Sequence, residues 1–436
     1  MNYHKDTLSN GLRLVTVPMS SVKSATVLIL VGTGSRYERR DNNGISHFLE
    51  HMVYKGTKRR PNPIDIPSEI EGIGGAWNAF TAKDHTGFYI KAANTHLEHI
   101  FDILADVLQH SLLKEEEIEK EKGVIVEEIH MYEDTPMQKV SEVYDELLYG
   151  DVPMGWDIAG TPELVRSFNR KNFVDYWTKQ YVPRNMVVAV TGGIENVTMK
   201  QFSNDTKKGS VKNLAEKYLG KWEGMESDKF DKVKILQSGA RVKIKSKKTE
   251  QAHMCLGVPA YPLGHRDKYN VAVLTAILGG GASSRLFDEI REKRGLAYYC
   301  RAGSDQYPDV GSFVTQSGVV LSKIEEAIKV ILEQFHLLAQ NKRPVKKDEL
   351  ERAKELLKGH LILSLEDSRN VAGSYGTDEL IEGKIRTEEE VIKKIDGVKA
   401  EDVVRVAKDL FKSDKLNLAV IGPYEDGEKF KNLLKL

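Results

Sequence analysis

His47, Glu50 and His51 stand at positions i, i+3 and i+4 of GISHFLEHMVYKGT (residues 44–57), inside an apolar pattern of helical period. On a helix these three side chains share one face. Two imidazoles one turn apart can bind a metal ion, and a neighbouring carboxylate can take a proton from a water on it. The order HxxEH reverses the commoner HExxH of zinc peptidases. The competing reading is a pair of core histidines with ordinary partners. Phe48, Leu49, Met52 and Val53 flank the motif and bury the helix, where a histidine pair with a glutamate needs a partner.

A catalytic zinc needs a third protein ligand and an open position. EKEKGVIVEEIH (residues 119–130) offers one. Glu121, Val124, Ile125 and Glu128 fall on one helical face, so two carboxylates are mixed into an inward-looking apolar stripe. Glu127, about 100° further round the helix, is expected to be exposed. Glu128 is the better ligand, and Glu121 a supporting acid that orients a histidine. Two other features carry less. His96 and His99 also stand one turn apart, but they open an amphipathic helix, where surface or capping roles are expected. LGGGASSRLF (residues 278–287) has the glycines of a phosphate cradle without its Lys-Ser/Thr ending, so it reads as a turn between helices.

These residues need elements to position them. LRLVTVP and SATVLILVG read as strands, residues 45–54 as a helix, and TGFYIKA as a strand. NTHLEHIFDILADVLQH is an amphipathic helix with Asn94 or Thr95 expected at its N-cap, and a charged helix follows over about 114–132. NMVVAVTGG closes this first set as a strand, and a polar, glycine-punctuated stretch over 220–240 reads as a linker. The order then starts again, with MCLGVPAY and GSFVTQSGVV as strands. NVAVLTAIL, IEEAIKVILEQFHLLA and residues 347–363 are helices. TPELVRSFNRKNFVDYWTKQYVPRNMVVAVTG pairs with TEEEVIKKIDGVKAEDVVRVAKDLFKSDKLNLAVIG, which implies two copies of one domain-sized unit. The expected fold is α+β: two homologous domains, each a mostly antiparallel sheet with helices packed on one face. The expected division is 1–222 as the metal-binding domain, 223–240 as linker, and 241–436 as a copy without the motif.

A chain of 436 residues suits two or three domains. Basic and acidic residues are equal at 64 each, so no global field favours nucleic acid or an anionic membrane, and neither partner is expected. The longest largely apolar run, residues 25–31, is too short to span a bilayer, and the N-terminal stretch reads as a first strand rather than an address. Cys255 and Cys300 form no CxxC pair; two structural cysteines in a reducing cytoplasm are expected.

Taken together, GISHFLEHMVYKGT, Glu128, GGAWNAFTAKDHTGFY, REKRGLAYY and the duplicated half resemble the pitrilysin/insulinase-type inverzincin metallopeptidases over nearly the whole chain. Length favours the branch of mitochondrial processing peptidase and its short bacterial relatives. The resemblance implies a zinc endopeptidase cleaving unfolded peptides in a closable chamber. One Zn²⁺ per chain would sit on His47, His51 and Glu128, with Glu50 as general base and Glu121 as supporting acid. It implies that Asn78, Ala79 and Phe80 lie on an edge strand to which peptides add, with Phe80 lining a side-chain pocket. Arg291 and Tyr298 match the family's Arg/Tyr pair, which contacts substrate, and the tyrosine hydroxyl can stabilise an oxyanion. The second copy has YNVAVLTAIL where the metal helix would be. Because this chain keeps both motifs, a homodimer with composite sites is expected, each combining the metal group of one chain with Arg291 and Tyr298 of the other. The alternatives are a non-catalytic scaffold subunit and a catalytic subunit that needs a different partner chain.

Overall fold

The computed structural model describes residues 1–194, 210–224 and 226–436; Met225, inside the expected linker, lies outside them. The chain forms two compact units. The first comprises Met1–Ile129, Asp157–Asp231 and Leu363–Thr387; the second comprises His130–Trp156, Lys232–Ile362 and Glu388–Leu436.

The first unit is built on strands β1 (His4–Thr7), β2 (Arg13–Pro18), β3 (Ser24–Val31), β4 (Ala76–Thr81), β5 (Thr86–Ala93) and β6 (Met186–Gly192). Their order across the sheet is β1-β2-β6-β3-β5-β4. The second unit has β7 (Arg241–Ser246), β8 (Gln251–Ala260), β9 (Ala297–Gln306), β10 (Gly311–Val320) and β11 (Asn417–Gly422), in the order β7-β11-β8-β10-β9. Apart from β1, the two sheets have the same order. Each has one parallel pair, β2 with β6 and β7 with β11, and is otherwise antiparallel. The duplication seen in the sequence is therefore a duplication of topology.

Alternation along the central strands sets the layers. In β3, Ala25, Val27, Ile29 and Val31 face the main core with Phe48, Phe88, Ile100, Phe101 and Phe173, whereas Leu28 and Leu30 face the other way. Burying each of the valine, leucine, isoleucine and phenylalanine side chains contributes about 1.5–3 kcal/mol. The main core carries the helices expected on one face, among them Ile45–Val53, Leu97–His110 and Arg170–Gln180.

The opposite face of each sheet carries a helix from the other half of the sequence. Helix Ser368–Glu382 packs on β3 and β6, where Ala372 meets Leu28, Leu30 and Ala189. Helix Pro136–Tyr149 packs on β8 and β11, where Val140, Val143 and Tyr144 meet Cys255, Ala419 and Ile421. Both approaches use glycine. A Cβ on Gly376 would lie 2.8 Å from Leu30 Cδ1, and one on Gly257 would lie 2.5 Å from the Tyr144 hydroxyl and 2.2 Å from the Phe313 carbonyl oxygen.

Two local expectations are corrected. The helix Leu97–His110 is not capped by Asn94 or Thr95; a 3-10 turn, Asn94–His96, precedes it, and Asn94 Nδ2 donates to Gly193 O instead. Val124 is 52 % exposed, so the buried stripe of helix Glu115–Glu133 runs through Ile118, Glu121, Ile125 and Ile129. Val126 completes that stripe from the adjacent position. Glu127 is exposed, as its place round the helix requires. The glycine run after helix Lys268–Gly279 leads into a π-helical turn, Phe287–Glu292.

Candidate metal centre and active site

The helix Ile45–Val53 buries Ile45, Ser46, Phe48, Leu49, Met52 and Val53, which leaves His47, Glu50 and His51 together on its other side. Glu128 reaches them from helix Glu115–Glu133, whose apolar stripe docks it against the same core. His47 Nε2 lies 3.6 Å from Glu128 Oε1, and His51 Nε2 lies 3.5 Å from Glu128 Oε2. The two imidazoles meet edge to face with centroids 4.8 Å apart. Among the described residues this is the single group of three or more His, Cys, Asp or Glu side chains able to hold a metal ion, with ligand atoms within 4.8 Å of one another.

The donor set fits zinc. Two imidazole nitrogens and a carboxylate form one of the usual ligand triads of a catalytic zinc site. Tetrahedral bonds of about 2.1 Å would set ligand atoms roughly 3.4 Å apart, close to the two N···O separations seen here. His51 Nδ1 donates to Glu121 Oε1 at 3.0 Å, which fixes the tautomer that leaves Nε2 free. Glu121 is buried, and Lys55 Nζ sits 2.6 Å from its other oxygen. Burial works against the ionised Glu121, but His51 and Lys55 outweigh it and hold its carboxyl below the ordinary range. Glu128 is lowered first by the hydrogen-bonding reach of His47.

Glu50 sits in a different electrostatic setting. Burial raises its carboxyl above the usual value, opposed by a hydrogen bond from Thr81 and by both histidines. Thr81 Oγ1 donates to Glu50 Oε2 at 2.6 Å. A carboxylate in this setting, beside two imidazoles, is placed to exchange protons with a water held between them. Thr81 belongs to β4, the outermost strand of the first sheet. Trp77, Ala79 and Thr81 are half-buried on that strand, while Asn78 and Phe80 point to the opposite face and are exposed. The Phe80 ring, 38 % exposed, lies over Gly87, where a Cβ would come within 2.4 Å of it.

Arg291 and Tyr298 belong to the second unit. Arg291 sits in the π-helical turn and Tyr298 at the start of β9, the outermost strand of the second sheet. The Arg291 guanidinium lies 5.2 Å from the Tyr298 ring centre and 4.9 Å from that of Phe287. Tyr298 is 74 % exposed. His99 pairs with Glu69 at 3.5 Å, in keeping with a surface role.

Two neighbours of the group, Lys55 and Thr81, are not singled out by the sequence pattern. Lys55 follows His51 by one helical turn, which could have marked it as a neighbour of Glu121. Thr81 adjoins Phe80 and alternates to the other face of β4, toward Glu50.

A sequence model of the insulinase family of peptidases, M16, matches residues 13–161, and one described as the peptidase M16 inactive domain matches 167–357. A Bacillus subtilis protein named as an uncharacterized zinc protease is 37 % identical over 96 % of this chain and 97 % of its own. Another so named, from Streptomyces coelicolor, is 35 % identical over 97 % of this chain and 90 % of its own. The crystal structure of a protease from Helicobacter pylori shares the fold with a TM-score of 0.86 at 24 % identity, covering 97 % of this chain and 99 % of that one. With two family domains in tandem and relatives matched along almost their full length, this chain belongs to the M16 insulinase family.

Proposed function

We propose that the chain is a zinc metalloendopeptidase of unfolded peptides, with one zinc held by His47, His51 and Glu128. The observation that carries this reading is the convergence of two imidazoles and a carboxylate beside a buried glutamate. When bound, zinc supplies a Lewis acid and lowers the pKa of water toward about 7. The chain's own residues do the rest. The Glu50 oxygen not engaged by Thr81 takes a proton from the attacking water and passes it to the leaving amine. Glu121 holds the His51 ring in place through Nδ1.

The peptide adds to the free edge of β4 at Asn78, Ala79 and Phe80, where main-chain hydrogen bonds give affinity without a strict sequence requirement. Successive substrate side chains then alternate between the Glu50 side of the sheet and the Phe80 side. Phe80 lines the pocket on its side. Arg291 and Tyr298 of a second copy contact the substrate, with the Tyr298 hydroxyl stabilising the oxyanion. This places two composite, closable sites in a homodimer. A reducing cytoplasm suits Cys255 and Cys300, both buried and unbridged. No helix among the described residues is long and apolar enough to cross a membrane.

The intact group of ligands speaks against a scaffold role. The test is fragmentation of an unfolded protein by the zinc-loaded chain. Glu50→Gln should lower turnover about 10²–10⁴-fold without changing zinc content. Turnover unaffected by Glu50→Gln would contradict the assignment.

A further inference from the structure

The helix that carries both histidines has no side-chain cap of its own. Gly44 precedes it with φ 98°, and glycine offers nothing to the free amides of the first turn. Glu38, in the loop ahead, takes that place. Its Oε2 accepts from Gly44 N at 2.8 Å and its Oε1 from Ser46 N at 2.8 Å, and Asn43 Nδ2 donates to Oε2 at 2.9 Å. Glu38 is 3 % exposed. A carboxylate is buried at high cost unless it is fully hydrogen-bonded, so the site admits little freedom in where those amides sit.

The surroundings fix the same point from other directions. Asn43 Nδ2 also donates to Asp157 O at 3.0 Å. A Cβ on Gly44 would lie 2.5 Å from Ala159 O, so the backbone there is closely packed. Ser46 Oγ and the Tyr176 hydroxyl share a hydrogen bond of 2.7 Å, and Tyr176 shares another of 2.8 Å with Thr33 Oγ1.

The two histidines are held unequally. His51 is anchored at Nδ1 by Glu121, which Lys55 anchors in turn. His47 Nδ1 is buried with no hydrogen-bond partner among the described residues. His47 also stands in the first turn, directly after Ser46. Its ring therefore takes its position from the backbone, and the backbone there starts where Glu38 fixes it.

We propose that Glu38 is a positioning residue for the metal centre, its buried carboxylate setting where the first helical turn begins and so where His47 Nε2 points. The proposal rests on the reading of His47 as a ligand. Glutamine at this position can accept from one of the two amides, but its NH₂ opposes the other.

The test uses Co²⁺ as probe in the full chain, with affinity read by chelator competition and geometry by visible absorption. Glu38→Gln should bind Co²⁺ about tenfold or more weakly, the scale of loss found for groups that orient ligands, and should shift the absorption bands. Glu38→Asp, which keeps a carboxylate, should fall between. Asp106→Asn is the control for general loosening. Asp106 accepts from Thr57 Oγ1 and Arg60 at 2.7 Å each in the same unit, away from the cap. It should leave affinity and spectrum unchanged.

Unchanged binding and spectrum in Glu38→Gln overturn the proposal, as does an equal loss in Asp106→Asn. If Glu38→Gln does not fold, Glu38→Asp decides. Weaker binding at unchanged circular dichroism supports the proposal, and unchanged binding overturns it. A wild-type chain that takes up no Co²⁺ overturns the ligand reading itself, and the proposal with it.

Discussion

At the scale of single residues, the candidate site separates four carboxylates by environment. Glu50 is raised by burial, whereas Glu121 and Glu128 are held low by the cationic and imidazole groups that face them. Glu38 is buried against backbone amides. Glu121→Gln keeps one acceptor for His51 Nδ1 but loses its charge and the pairing with Lys55. It is expected to weaken zinc binding by about 10–100-fold, measured by chelator competition. Unchanged affinity would remove Glu121 from the supporting role. His47, Glu50, His51, Glu121 and Glu128 were legible in the sequence because helical spacing alone places them on shared faces. Glu38 was not legible. It lies in a loop among Arg36, Arg39, Arg40 and Asp41, and nothing in that run distinguishes it from a solvated charge. Only the return of the chain onto its own helix start reveals its use.

At the scale of elements, the strands and the main-core helices follow the hydrophobic period closely. Helix Pro136–Tyr149 does too, through Val140, Val143, Tyr144 and Leu148, but helix Ser368–Glu382 does not. Ser368–Glu382 contains Gly373, Ser374 and Gly376, and its contact with the sheet is made by small side chains rather than an apolar stripe. Its sequence therefore lacks the signal that a core helix displays. Val124 shows the converse error: it fits the period of a buried stripe and yet is exposed. The glycine contacts beneath the exchanged helices are a direct check. Gly257→Ala would press a methyl against the Phe313 carbonyl oxygen and the Tyr144 hydroxyl. It is expected to destabilise the chain by about 1–3 kcal/mol in denaturant unfolding. Gly376→Val should act in the same direction, with more relief because Leu30 Cδ1 is the end of a flexible side chain. Wild-type stability in Gly257→Ala would show that the helix Pro136–Tyr149 does not bear on that strand in solution.

At the scale of the whole molecule, the two units share one strand order apart from β1, but the HxxEH motif occurs in one and the Arg/Tyr pair in the other. A composite site spans two chains, so neither mutant alone can test it. Glu50→Gln and the double variant Arg291→Ala/Tyr298→Phe should each be nearly inactive on a quenched peptide. Mixed under conditions of subunit exchange, they should regain activity, because some sites then combine two unmutated halves. Exchange without recovery would leave Arg291 and Tyr298 acting within their own chain or not at all. A composite site requires first that His47, His51 and Glu128 form a zinc site. That requirement is tested by the zinc content of the chain after loading and gel filtration, measured by mass spectrometry of the metal. One zinc per wild-type chain is expected, and none in His47→Ala/His51→Ala with the fold retained by circular dichroism. A wild-type chain that emerges without zinc, or a double variant that keeps it, would show that these residues do not form a zinc site.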